Sequence, residues 1–350
     1  MDKINDLFRT LHDNAEPSGA EVKTSSILLN FISENTTLEI KKFPDSYGFM
    51  AIHREGEGLP TIAVRADFDG LPCGDSFAHL CGHDGHSTAL CKLALEIEGK
   101  RYGKNIILLF QPAEETGEGA EKCLPRLLSE RPDMIIGSHN LPGFEKGKIY
   151  TRPSTFACAS EGMSFELTGK TAHAAYPESG KNPAKALSEL LEAVTTPPHE
   201  THGMVLSTVV GVRIGDENYG ISPGSASLFV TLRGEYKDEL DRLSESYFDL
   251  SALVSKKYSI DVKVKLHDIF PSTENDLKLT EKFMKLTDSR SLENPMRWSE
   301  DFGWYTMKIP GVFFGVGAGT SHPPLHSVEY VYPTEIIEPT VEAYLQVITG

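Results

Sequence analysis

Residues 61–69 read TIAVRADFD, an apolar run, TIAVRA, that delivers two carboxylates, Asp67 and Asp69. Three more short runs of this kind occur downstream: NIILLF at 105–110, MIIGS at 134–138 and VFFGVG at 312–317. Each is β-branched or aromatic, bounded by Gly or Pro, and apolar throughout rather than alternating. Such runs suit the buried strands of a sheet covered on both faces. Helical stretches separate several of them, notably STALCKLALEIE (87–98) and EGAEKCLPRLLSE (118–130), and a helical apolar pattern with Val22, Ile27, Leu28 and Phe31 runs from Glu16 to about Ile32. The fold class is α/β.

The residues just beyond each run carry the chemistry. TIAVRA leads into Asp67 and Asp69, NIILLF into QPAEE, MIIGS into His139-Asn140, and VFFGVG, after a short loop, into His322 and His326. Sites in open α/β sheets form beyond the carboxyl ends of strands, so four strands converge acids and imidazoles on one edge. The middle of the chain reads differently. From about Ala159 to Leu266 the order is strand (161–169), helix (183–194), strand (203–214), strand (225–234), helix (237–257) and strand (260–266). This β-α-β-β-α-β order is ferredoxin-like. The expected architecture is therefore a mixed-sheet α/β domain of residues 1–158 and 267–350, interrupted by an inserted ferredoxin-like domain of residues 159–266.

The chain has 350 residues, a formal net charge of −16, 39% hydrophobic and 24% charged residues. That charge disfavours a nucleic-acid-binding face and docking on an anionic membrane. No apolar run approaches the about 20 residues that span a bilayer. The first residues, MDKINDLFRTLHDN, lack the continuous apolar core of a secretory signal. The five cysteines are scattered without a disulfide-framework spacing, which points to a reducing compartment, and the cytoplasm is expected.

The densest polar cluster is HLCGHDGH at 79–86. A thiolate at Cys81 and an imidazole at His83 flank a glycine that lets the backbone bend, and both are good ligands for borderline metals. A polar loop with a half-buried Cys is the competing reading. Glu114 and Glu115 come directly after NIILLFQPA. On an extended segment their side chains point oppositely, so one can ligate while the other acts as base; an exposed helix start is the alternative. His139 and His326 are lone histidines whose value lies in combination. Cys81, His83, Glu115, His139 and His326 together give five donors, enough for two metals about 3.5–4 Å apart.

Seven motifs, RADFDGLP, HLCGHDGH, LLFQPAEETGEGA, GSHN, GKTAHAA, SEDFGWY and LHSVEY, occur in that order between Arg65 and Tyr330. In this the chain resembles the aminoacylase/carboxypeptidase metallopeptidase family, in particular its branch of hippurate hydrolases, auxin-conjugate amidohydrolases and N-acetyldiaminopimelate deacetylases. The resemblance implies a metal-binding catalytic domain interrupted by a dimerisation or lid domain, and a homodimer. It implies a bridging thiolate at Cys81, companion ligands at His83, Glu115, His139 and His326, and a general base at Glu114. Asp67 and Asp69 would orient ligands. His173, in TAHAA, would help polarise the scissile carbonyl, and Arg233 would hold the substrate carboxylate. A surface-turn histidine and a surface ion pair are the competing readings of those two.

The implied reaction is hydrolysis of the amide of an N-acyl amino acid, with two divalent ions, zinc or manganese ahead of cobalt or nickel. A dipeptidase or aminopeptidase with the same metals is the nearest alternative; a catalytically silent metal-binding protein is the alternative from another class. Three positions depart from the branch: Glu178 and Asn182 stand where a His and an Asp are usual, and Ile221 where an Asn is common. They bear on substrate choice.

Overall fold

The computed structural model describes residues 2–197 and 201–350, which divide into two compact units. One comprises residues up to Phe156 with Thr273–Pro295 and Glu300–Gly350; the other comprises Ala157–Ser272 with Met296–Ser299.

The larger unit is built on an eight-stranded mixed sheet. Edge to edge it runs Glu39–Lys42, Phe49–His53, Asn105–Gln111, Thr61–Asp67, Met134–Pro142, Gly311–Gly319, Ile149–Thr151 and Arg290–Ser291. The four strands expected from the apolar runs lie consecutively in it and are mutually parallel. Every residue of Thr61–Asp67 and Asn105–Gln111 is buried, which explains why their sequences do not alternate. One core joins Leu7, Phe8 and Leu11 of the helix Asp2–His12, Leu28 and Ile32 of Val22–Asn35, Leu90, Leu93 and Ile97 of His83–Ile97, and Val341, Tyr344 and Ile348 of Ile337–Thr349 to Val64, Leu108, Ile136 and Phe314 of the strands.

Two sequence expectations shift. The helix read from Glu16 begins only at Val22, because the Glu16 carboxylate accepts from Thr24 N (2.8 Å) and Thr24 Oγ1 (3.0 Å) instead of extending the turn. His139 and Asn140 lie inside the Met134–Pro142 strand, beside Gly315 and Val316, rather than beyond its end.

The smaller unit is a four-stranded antiparallel sheet in the order Val205–Ile214, Ser225–Gly234, Ala159–Thr168, Asp261–Phe270. The helices Ala184–Thr195 and Lys237–Tyr258 bring Leu187, Leu190, Leu243 and Tyr247 against Phe165, Leu228 and Leu232. Strand Ser225–Gly234 buries every second residue, the mark of a sheet covered on one face. Its order is that of the β-α-β-β-α-β pattern, although the last strand continues past Leu266 to Phe270. Among the described residues no helix is long and apolar enough to cross a membrane.

Candidate active site

Asp67 ends one central strand, Asp69 lies two residues beyond it, and His139 is on the neighbouring strand. Cys81 and His83 arrive on either side of Gly82, whose φ is +93°. A Cβ there would stand 2.7 Å from Asn140 Oδ1 and 2.8 Å from the Tyr332 ring, so only glycine makes this bend. The bend starts the helix His83–Ile97 at the imidazole itself. Glu114 and Glu115 occupy a turn, not an extended segment. Ala113 before them has φ +56°, and its N–H donates to Glu21 Oε1 at 2.8 Å. That partner, 92 residues away, is what turns the chain. His326 also has positive φ (+65°) and is pinned by its N–H to Leu80 O at 2.8 Å. Such a conformation is costly for a residue with a Cβ and is retained where the position matters.

These residues meet. Cys81, His83 and His139 each place a donor atom within 4.8 Å of the others, and so do Cys81, Glu115 and His326. A third set is His83, Glu114 and Glu115. Cys81 Sγ lies 3.4 Å from His139 Nε2. His83 Nδ1 faces Asp69 Oδ1 and Asp69 O, both at 3.1 Å, which turns Nε2 into the site. There it lies 3.7 Å from Glu115 Oε1 and 3.8 Å from Glu114 Oε2. His139 Nδ1 lies 2.9 Å from Asn140 O, which likewise points Nε2 inward. His83 Nε2 and Glu115 Oε1 are buried and make no hydrogen bond among the described residues. Orphaned donor atoms of this kind are costly unless a ligand satisfies them.

The electrostatics agree. Burial works against protonating His83, yet Asp67, Asp69 and Cys81 outweigh it and raise its pKa well above the imidazole norm. Burial first, with Asp69 and Asp67 behind it, raises Glu115 to about 7 against the pull of His83. Burial and then Glu115 push the Cys81 thiol up. Burial and neighbouring carboxylates thus oppose ionisation of Cys81 and Glu115, and a cation among these donors would favour it.

Asp69 takes Ser18 Oγ at 2.6 Å and Glu115 N at 3.0 Å besides His83. Asp67 instead joins Arg65 Nη1 and His86 Nδ1, both at 2.6 Å. His86 Nε2 in turn faces Asn140 Oδ1 at 2.6 Å. The sequence alone assigned no role to His86, Asn140, Arg65, Gln111 or Asp301. Arg65 carried a usable signal: a guanidinium inside an apolar strand must find buried carboxylates. Among the described residues His322 is in no donor set; its Nε2 faces Val331 O at 2.9 Å.

His173 and Arg233 belong to the smaller unit. His173 is exposed, and its Nδ1 accepts from Ala175 N at 3.0 Å. Arg233 donates to Ser299 Oγ at 2.9 Å and Arg297 O at 3.2 Å. The departures cluster about His173: Ile221 is its strand partner, and Asn182 Nδ2 donates to Ser222 Oγ at 3.0 Å. Glu178 lies exposed in the short helix Pro177–Ser179.

N-acetyl-L-cysteine deacetylase of Bacillus subtilis is 29% identical to this chain, over 97% of the chain and 86% of that protein. N-acetyldiaminopimelate deacetylase of Lacticaseibacillus casei is 28% identical, over 96% and 94%. The solved structure of the Bacillus subtilis YXEP protein, a dinuclear metal binding peptidase from the M20 family, shares the fold with a TM-score of 0.83 at 21% identity, covering 99% of this chain and 97% of that one. Aminopeptidase PepT from Bacillus cereus shares it with a TM-score of 0.75 at 13% identity, covering 99% and 98%. The sequence profile of peptidase family M20/M25/M40 matches residues 63–350, and this chain belongs to that family.

Proposed function

We propose that the chain hydrolyses the amide bond of N-acyl amino acids, releasing a free amino acid and a carboxylic acid, at a pair of divalent metal ions. The observation that carries this reading is the sharing of Cys81 between two donor triads that together contain all five expected ligands: Cys81, His83, Glu115, His139 and His326. The orphaned His83 Nε2 and Glu115 Oε1 fit the same assignment. Thiolate, imidazole and carboxylate together favour zinc or manganese, with cobalt and nickel compatible. When bound, the ions supply Lewis acidity that lowers the pKa of water and polarises the substrate carbonyl.

The protein's own groups do the rest. Glu114, buried beside His83, takes a proton from the attacking water and returns it to the leaving nitrogen. Burial, then Glu300, Glu115 and Asp301, raise its pKa well above the carboxylate norm against the opposing pull of His83; a cation held beside it would bring that value down towards the working pH that a general base needs. Asp69 holds the His83 tautomer that presents Nε2, and Asp67 fixes His86. His173, from the inserted domain of residues 159–266, hydrogen-bonds the developing oxyanion, and Arg233 pairs with the substrate carboxylate. The deacetylase relatives make N-acetyl amino acids the first substrates to try. A homodimer in the cytoplasm completes the proposal; free thiols at Cys73, Cys81, Cys91 and Cys123 suit a reducing compartment.

The test is amino-acid release by the metal-loaded protein from N-acetyl, N-benzoyl and dipeptide substrates. Cleavage of the acylated amino acids is expected. Cleavage of dipeptides alone establishes a peptidase instead. Bound metals with no cleavage across the panel favour a binding protein.

A further inference from the structure

Glu300 and Asp301, in the SEDFGWY stretch, are outside the proposed metal set, yet both are buried and both approach Glu114. Glu114, Glu300 and Asp301 each place an oxygen within 4.8 Å of the others. Arg65 already supplies a cation to this cluster: its Nη2 lies 2.6 Å from Asp301 Oδ1 and 2.9 Å from Glu300 Oε1.

The hydrogen bonds of Asp301 have one common target. Its Oδ2 accepts from Gln111 Nε2 at 2.7 Å and from Ala120 N at 2.8 Å. Gln111 is the last residue of its strand, and Ala120 lies in the first turn of the helix Gly119–Ser129. Glu114 sits in the connection between them. A single carboxylate oxygen therefore grips both ends of the loop that carries Glu114. The Asp301 N–H then reaches the Glu114 Oε1 itself, at 3.4 Å. Glu300 braces the clamp, pairing with Arg65 and accepting from Phe302 N at 3.2 Å.

We propose that Asp301, braced by Arg65 and Glu300, is a positioning residue that sets the place and orientation of the Glu114 carboxylate in catalysis. This rests on the reading of Glu114 as the base. The hydrogen bonds of Asp301 to Arg65, Gln111, Ala120 and Glu114 touch none of the five proposed metal ligands directly; Glu115 shares the clamped loop, so metal content is the readout that separates positioning of the base from loss of a ligand. Misplacing a reacting group by about 1 Å costs on the order of a hundredfold in rate.

The test is Asp301→Asn in the metal-loaded protein, alone and combined with Glu114→Gln. An asparagine keeps the shape but cannot offer two acceptor oxygens. We expect kcat to fall about 10–100-fold with KM within about threefold. Metal content should stay at the wild-type level. In the Glu114→Gln background the second substitution should cost less than about twofold, because groups acting through one another are not additive. A full additional loss in that background overturns the proposal, as does a fall in metal content that parallels kcat, or wild-type kcat in the single variant. Failure of the underlying reading is visible separately, since Glu114→Gln alone would then keep wild-type turnover. Should Asp301→Asn not fold, Glu300→Gln loosens the brace more gently. A kcat loss of about 3–10-fold that vanishes beside Glu114→Gln is expected, and one that persists there overturns the proposal.

Discussion

Replacing Arg65 with methionine removes the cation from a fully buried cluster. The guanidinium lies 2.6 Å from Asp67 Oδ2, 2.6 Å from Asp301 Oδ1, 2.9 Å from Glu300 Oε1 and 2.8 Å from Gln111 Oε1. Methionine fills much of the space, so the loss is electrostatic rather than a cavity. Breaking a buried ion pair by deleting one partner costs about 3–5 kcal/mol, because the other charge is left unpaired and dry. Three carboxylates lose their partner here, but they take up protons instead of staying charged, so the expectation remains about 3–5 kcal/mol. Against the about 5–15 kcal/mol typical of a domain, that is a large fraction.

The sign with pH is set by Asp67. Burial pushes its pKa up, but the charges of His83, Arg65 and His86 outweigh burial and hold it well below the ordinary carboxylate range. A group whose folded pKa is depressed contributes stability above its unfolded value and loses it as pH falls through the folded pKa. Without Arg65 that contribution shrinks, so the deficit is full near neutrality, where protonating the orphaned carboxylates is costly, and narrows in acid, where the same protonation costs less. Urea unfolding with chelator present, read by the fluorescence of Trp298 and Trp304, which flank Asp301 by three residues on either side, gives the difference at pH 7.5 and pH 5. A deficit under about 1 kcal/mol at the higher pH, or one that grows in acid, rules out this role for Arg65.

Cys81→Ser is expected to weaken both bound ions, since Cys81 belongs to both donor triads; elemental analysis after dialysis that finds one ion held at wild-type affinity contradicts the shared thiolate. His12 pairs with the buried Asp84 at 2.7 Å, and that hydrogen bond, against the opposing effect of burial, raises its pKa above the usual 6.5. Its contribution is present below pH 6.5 and lost as pH rises through the folded value, so His12→Ala should destabilise by about 1 kcal/mol more at pH 6 than at pH 8.5, allowing for solvent screening; equal losses at both values count against it. His173→Ala should lower kcat by about 10²–10³-fold, as expected for one oxyanion donor, with metal content unchanged; unaltered kcat removes His173 from the mechanism.

The four central strands were legible because burial on both faces leaves an unbroken apolar string, as TIAVRA and NIILLF show. The candidate donors stood out because Cys81, His83, Glu115 and His326 are donor types downstream of those strands, whereas His139 lies inside one of them. The turn at Glu114-Glu115 was not, since it depends on the positive φ of Ala113 and on Glu21 reaching across from a remote helix entrance. The helix entrance itself was misplaced for a related reason: Glu16 spends its carboxylate on Thr24. Gln111 and Asp301 escaped notice because they pair across 190 residues, which no local pattern encodes; Arg65 signalled a need for buried carboxylates, but not that Asp301, 236 residues away, would be one of them.

The decisive experiment is amino-acid release from an N-acetyl amino acid by wild type and by Glu114→Gln, each shown to hold two metal ions per chain. Steady release by wild type is expected, with a loss of at least about 10²-fold in the variant while its metals stay intact. Equal turnover by the two proteins would mean that Glu114 is not the base and that the proposed mechanism is wrong.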